Sequence, residues 1–157
     1  MLAPRWSHAP LSGAGAARAG GRWNAVGQAA LYLSADHATA IAEYQQDLPR
    51  PGTLSGFDVD ASAVLNLTEI RTVSTLRIDA GLPRLPWKQI RDTQCCRSVT
   101  WDFAEAAHSA GVQGILVQSV QGPGVNLVIW AWNEPGGASV ASLDPLRVLP
   151  ANQSSWS

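Results

Sequence analysis

The stretch RAGGRWNAVGQAALYLSADHATAIAEY, residues 18–44, gathers the side chains with the greatest chemical reach in this chain. Gly20 and Gly21 have no Cβ, so the backbone there can turn sharply or come close to a ligand or a neighbouring strand. Arg22 follows with a planar fork of donors that suits phosphate or carboxylate. Two glycines beside an arginine are either an anion-gripping loop or an ordinary turn. Arg18, four residues earlier, either shares a ligand with Arg22 or is a surface residue. Glu43 falls one residue beyond the apolar side of a helical pattern. It is either a solvated carboxylate or points into a cleft beside Arg22 and Tyr32.

These residues need elements to hold them. Residues 29–33 are a short apolar run with the β-favouring Tyr32 inside it, bounded by Gly27 and Ser34, and so read as a strand. Tyr32 then points opposite to Leu31 and Leu33. Ser34 or Asp36 caps a following helix whose inner face would be Ala38, Ile41, Ala42 and Gln45. The order is loop, strand, helix. Residues 114–118, GILVQ, form the clearest strand of the chain and deliver Ser119 to its C-terminal end. Gly122-Pro123-Gly124 forces a turn, and residues 125–132 are a second strong strand carrying Asn126. A serine at such a strand end is frequently just a turn former, and Asn126 invites the same reading.

Elsewhere the proline-rich start, through Leu11, is expected to be irregular or extended. Residues 12–21, SGAGAARAGG, read as a flexible loop. Gly13-Ala14-Gly15 begins like a dinucleotide fingerprint, but the third glycine would fall at Arg18 and no strand precedes it, so the Rossmann reading fails. Strands are expected over 53–59 and 64–67, helices over 68–78, 87–97 and 100–110, and one more strand near 138–143 or 146–149. The helix over 100–110 would bury Phe103, Ala104, Ala107 and Ala110, with Thr100 as its cap and Gly111 as its stop. Strands that do not alternate regularly with helices point to an α+β fold.

Composition narrows the class. At 157 residues the chain is large enough for one domain with a real core. A hydrophobic content of 46% with 15% charged residues argues against long disorder. The net charge of −1 lacks the basic surplus of a free-standing nucleic-acid binder. Cysteine is limited to the adjacent Cys95 and Cys96, read as reduced with one or both buried. Neither a disulfide framework nor a four-ligand zinc site can be assembled from them, and no metal is expected. There is no leader-like apolar segment and no run long enough to cross a bilayer, so the chain is expected to be soluble and cytoplasmic.

GGRWN, a short gap to Gly27, then ALYLS, then TAIAEY together resemble the signature of the RES-domain toxins, the enzymatic halves of RES–Xre toxin–antitoxin pairs. The resemblance runs from about Arg5 to about Trp132. Arg22 matches the arginine of the family's name, Glu43 its glutamate, and Ser119, in GILVQSVQGPGVNLVIW, its serine. It implies a single RES domain over residues 1–150 with a C-terminal tail over 151–157. The implied fold is similar to ADP-ribosyltransferases, with two small β-sheets forming an NAD+ cleft and helices around them. The implied activity is consumption of NAD+ without a metal. Arg22, and with it Arg18, would clamp the pyrophosphate. Glu43 would stand by the ribose, and Ser119 would offer a hydroxyl to the nicotinamide amide or the ribose. Tyr32, by likeness to ADP-ribosyltransferase pockets, would offer a ring face to the nicotinamide; Asn24 and Asn126 complete the expected NAD+ contacts.

The chemistry is consistent with those types. Nicotinamide in NAD+ is already a cationic leaving group, so its departure needs no general acid. It needs anchoring and a negative charge near the developing oxocarbenium ion, by analogy with glycoside hydrolysis. At ~4 Å and an effective dielectric near 20, such a pair is worth about 4 kcal/mol, on the order of a thousandfold in rate.

The family implies several acceptors for ADP-ribose: water or phosphate, which would deplete NAD+, or a host protein such as an enzyme of nucleotide metabolism. It also implies a partner, an Xre-type helix-turn-helix antitoxin that covers the active site. A competing class is a catalytically idle partner-binding domain, for which seven tryptophans, Trp130 and Trp132 among them, would furnish a surface, although core packing explains most of them. Release of free nicotinamide from NAD+ separates the two.

Overall fold

In the computed structural model, which describes residues 1–46, 49–94, 97–152 and 154, six strands form two sheets. Strands β1 (Leu31–Ser34), β3 (Val64–Asn66), β4 (Gly114–Gln118) and β5 (Val125–Ile129) make a four-stranded sheet in the order β1-β5-β4-β3. β3 and β4 are parallel; the other pairs are antiparallel. Strands β2 (Gly56–Asp60) and β6 (Ser139–Leu143) form a separate antiparallel pair. The helices are α1 (Ala14–Ala19), α2 (His37–Gln45), α3 (Ile70–Thr75), α4 (Trp87–Gln94) and α5 (Val99–Ser109). The α+β expectation and the two small sheets are both met. Among the described residues no helix is long and apolar enough to cross a membrane.

Alternation along the strands divides the molecule into layers. Register pairs Tyr32 with Val128 and Ser34 with Asn126 on β1 and β5, and Val117 with Asn126 on β4 and β5. On this face Ile115, Val117 and Val128 join Trp23, Ala104, Ala107 and Trp130 in the larger core, roofed by α5. The opposite face presents Leu31 and Ile129 to Ala138 and Val140 in a second core beneath the two-stranded sheet, with Phe57, Val59 and Trp132 packed around them. Ile115, Val128 and Ile129 are fully buried, each worth about 1.5–3 kcal/mol relative to exposure. The central sheet is thus fixed from both sides.

Several local expectations are corrected. Residues 12–21 are not all loop: α1 forms there, entered through Gly13 at φ 60° and left through Gly20 at φ 68°. The N-terminal segment includes a 3-10 turn, Pro4–Trp6, and a bridge from Leu2 to Thr53. α2 is capped by Asp36, which accepts the Thr39 N–H, and not by Ser34, which remains in β1. Its buried residues are Thr39 and Ala40, whereas Ala38 is exposed. The inner face is therefore rotated from the expected one, and Glu43, one turn after Thr39 and Ala40, lies on the inward side. In α5, Ser98 holds the N-cap position and Thr100 is buried inside the first turn, its hydroxyl 2.7 Å from that of Ser98. Ala110 is exposed, while Gly111 at φ 86° ends the helix as expected. β5 stops at Ile129, and Trp130 is buried, its indole donating to the Trp23 carbonyl at 2.7 Å. Trp130 lies in the larger core and Trp132 is partly buried against the second, the core-packing alternative. The expectations for Cys95 and Cys96 lie outside the described residues.

Candidate active site

The GGRWN run is a tight loop whose residues divide the work. Gly21 approaches its neighbours so closely that a Cβ would meet Tyr32 Oη at 2.3 Å and Asn24 Oδ1 at 2.5 Å. Its N–H donates to the Asn24 carbonyl at 3.0 Å, and its own carbonyl accepts the Trp101 indole N–H at 2.7 Å. Trp23 is 2% exposed and sits in the core. Asn24 is fully buried: its amide donates to the carbonyls of Ala16, Ala25 and Gln28 at 2.9, 3.2 and 2.8 Å, and its oxygen accepts from Tyr32 Oη at 2.7 Å. With the Gly21 amide and the Asn24 side chain so engaged, the loop presents a ligand with the Arg22 guanidinium.

Arg22 is half-buried, and its Nη1 donates to the Leu85 carbonyl at 2.5 Å. Loss of hydration lowers its pKa from the ordinary value, opposed by the charge of Glu43 and, less, by Tyr32. An arginine starts so high that it keeps its charge regardless. Tyr32 is divided along its length. Its hydroxyl receives the Trp23 N–H at 2.9 Å and donates to Asn24, while 41% of the residue remains exposed. Burial of the hydroxyl raises its pKa, so it stays neutral. What Tyr32 offers a ligand is its ring.

Glu43 is held from two strands. Ser119 Oγ donates to its Oε1 at 2.6 Å and Asn126 Nδ2 donates to the same oxygen at 2.8 Å. Ser34 in turn donates to Asn126 Oδ1 at 2.7 Å, and the Ser119 hydroxyl accepts the N–H groups of Gln121 and Gly122 at 3.2 and 2.7 Å. Among the described residues no hydrogen bond reaches Oε2. The turn after β4 is fastened to α2 as well: Gly124 donates to Thr39 Oγ1 at 3.0 Å, and Thr39 Oγ1 donates to Asp36 at 2.8 Å.

Arg22, Tyr32, Ser34, Glu43 and Asn126 line one cavity of about 1030 Å³, at the upper end of the range for small-molecule sites. Its floor is the Tyr32–Val128 face of the four-stranded sheet, and its walls come from α1, α2 and the segment around α4. No lining residue belongs to β2 or β6, so the cavity is not a cleft between the two sheets. The two-stranded sheet packs on the far side.

Of the residues singled out in the sequence, four converge here and three do not line the space. Ser119 is buried behind Glu43, donates its proton to that carboxylate and does not line the cavity, where the family resemblance implied contact with the ligand. Asn24 orients Tyr32 from inside the loop. Arg18 is exposed at the end of α1 and does not line the cavity. Sequence reasoning missed Ser34 as a site residue, although it lies two positions from Tyr32 and so on the same face of β1. It also missed the Leu85 carbonyl, for which no sequence signal exists.

A family model described as the RES domain matches residues 2–151. Among solved structures, a chain from the crystal structure of the M. tuberculosis MbcT–MbcA toxin–antitoxin complex is similar, with a TM-score of 0.54 and 25% identity, covering 86% of this chain and 78% of that one. No curated protein matches significantly.

Proposed function

Because the chain belongs to the RES domain family, we propose that it is the toxin of a toxin–antitoxin pair, whose cavity binds NAD+ and cleaves the bond between nicotinamide and ribose. ADP-ribose passes to water or phosphate, so the activity drains the NAD+ pool. The observation that carries this reading is the shared cavity of Arg22, Tyr32 and Glu43, with one carboxylate oxygen of Glu43 held by Ser119 and Asn126.

Each side chain has a task that its geometry supports. The Arg22 guanidinium grips the pyrophosphate, exchanging the Leu85 carbonyl for phosphate oxygens. The open ring of Tyr32 stacks on nicotinamide. Glu43, with Oε1 fixed, turns Oε2 toward the ribose. As the carbon–nitrogen bond breaks, its electron pair goes to the nicotinamide nitrogen, which leaves neutral. Positive charge grows on the ribose, where the Glu43 carboxylate stabilises it more than in the ground state. Water or phosphate then attacks the anomeric carbon, and the proton of an attacking water is released to solvent. No metal is required for any of these steps.

The similarity to a chain of a toxin–antitoxin complex supports an antitoxin partner. We take that partner to be an Xre-type helix-turn-helix protein that covers the cavity, and the setting to be the bacterial cytoplasm. The deciding experiment follows nicotinamide release from NAD+ by purified protein with and without phosphate, with labelled ADP-ribose traced into product. Free ADP-ribose or its phosphorylated form supports the proposal. Label retained on a protein acceptor would instead support mono-ADP-ribosylation, and no release from NAD+ would leave a partner-binding domain.

A further inference from the structure

We propose that Ser34 is a positioning residue for Glu43 and acts through Asn126: its hydroxyl fixes which end of the Asn126 amide faces the carboxylate. The inference rests on the reading of Glu43 as the group beside the ribose and adds a residue to that site.

Glu43 Oε1 accepts two hydrogen bonds, from Ser119 and from Asn126, and each donor is itself held from behind. The hydroxyl oxygen of Ser119 accepts the N–H groups of Gln121 and Gly122, which leaves its proton to point at the carboxylate. Behind Asn126 stands a side chain, Ser34, whose Oγ lies 2.7 Å from Asn126 Oδ1.

An asparagine amide depends on such support. Its last torsion is broad and roughly two-fold, and its ends are opposite in kind: the NH2 only donates and the oxygen only accepts. With the oxygen turned toward Glu43, two acceptors would face each other and the carboxylate would lose a donor. An ionised carboxylate accepts only, so the tether has one sense. It runs from the Ser34 hydroxyl into Asn126 Oδ1, and from Asn126 Nδ2 into Glu43 Oε1.

The sheet places both residues for this task. Ser34 and Asn126 are directly paired across antiparallel β1 and β5, and Asn126 is also paired with Val117 of β4. The Asn126 backbone is therefore tied on both sides, and its side-chain torsions are what remains to be set. Ser34 is the last residue of β1, and the pairing is closed beyond it by the Ala35 N–H, which donates to the Val125 carbonyl at 3.0 Å. Directly paired residues stand about 4.5–5.5 Å apart at Cβ, a span that serine and asparagine bridge with one hydrogen bond. Ser34 and Asn126 line the cavity together with Tyr32 and Glu43, so the tether runs along the floor of the site.

The test reads the amide and the reaction separately. The side-chain NH2 of Asn126 is followed by proton–nitrogen NMR, identified as the pair of signals lost in Asn126→Ala. In Ser34→Ala those signals should shift and exchange with solvent faster, and Ser34→Thr, which keeps a hydroxyl, should restore both. In nicotinamide release from NAD+, Ser34→Ala should lower kcat about twofold to tenfold, the worth of one hydrogen bond, with KM little changed. Ser34→Thr should recover most of that loss. In an Asn126→Ala background the Ser34→Ala loss should vanish, because the tether is already cut. Amide signals indifferent to Ser34→Ala, or a full loss that persists without the Asn126 amide, overturn the proposal and leave the dinucleotide reading standing. A lowered Tm with kcat unchanged makes Ser34 a strand residue only and overturns it as well. A wild-type protein that releases no nicotinamide overturns the dinucleotide reading and, with it, the role of Ser34 in the reaction.

Discussion

Ser119 Oγ and Glu43 Oε1 lie 2.6 Å apart, although 76 positions separate the two residues in the chain. The serine directly follows β4 and the glutamate comes from the last turn of α2, so the bond fixes a helix carboxylate against the central sheet. Asn126 doubles the hold on the same oxygen. The other oxygen is thereby directed, and a carboxylate pinned in advance loses no further freedom as charge develops nearby.

Replacing Glu43 by Gln keeps an oxygen where Ser119 and Asn126 donate and removes the charge. Nicotinamide release should fall on the order of a thousandfold, with an unchanged circular dichroism spectrum. A variant that is folded and releases nicotinamide at the wild-type rate would eliminate the electrostatic role.

Ser119→Ala removes one of two donors to Glu43. A hydrogen bond to a charged group is worth about 1.5–3 kcal/mol, so kcat should fall roughly tenfold to a hundredfold with little change in KM. If the serine acts through Glu43, the loss should largely vanish in a Glu43→Gln background, as coupled sites are non-additive. An undiminished loss in that background would show instead that Ser119 touches substrate.

Arg22→Lys retains the charge but not the planar fork, which is what bidentate phosphate recognition uses. KM for NAD+ should rise about tenfold or more, read from initial rates over a range of NAD+ concentrations. An unchanged KM would remove Arg22 from the pyrophosphate.

Gly124→Ala should disturb the turn that holds Ser119. Its Cβ would fall 2.2 Å from Asp36 Oδ2 and 2.6 Å from Thr39 Oγ1, atoms already bonded to each other. Overpacking of this kind costs about 1–3 kcal/mol, seen as a lowered Tm together with reduced turnover. Gly15→Ala, in α1 with nothing within 4 Å of the new Cβ, should raise Tm slightly.

The Asp36 cap gives the protein an acid-sensitive contribution. The Thr39 N–H, then the Thr39 hydroxyl, hold its carboxyl below the usual carboxylate value. The folded state therefore binds this proton more weakly than the unfolded chain, and the stabilisation is complete above the unfolded pKa near 4. It is lost as pH falls through the lower folded value. Wild-type stability measured by urea denaturation should drop more steeply below about pH 4 than that of Asp36→Ala. Parallel curves would contradict this.

The sequence by itself determined the elements and the chemical vocabulary. Short apolar runs bounded by glycine and turn residues located the strands that became β1, β4 and β5, because a strand covered on both faces reads as a continuous hydrophobic run. The wording of residues 18–44, with the strand ending at Ser119, carried the family, and the family carried Arg22, Glu43 and Ser119 as a set. Tertiary structure decided where each of them stands. Whether Glu43 faced solvent or cleft turned on a rotation of α2 by about one residue, about 100°, and Thr39 sets that rotation by packing on the turn after β4. Asn24 and Tyr32 became partners only because Gly21 lets them meet, and the Leu85 carbonyl reached Arg22 across 63 positions. Such contacts leave no trace in local periodicity, since they depend on which faces of distant elements the two cores press together.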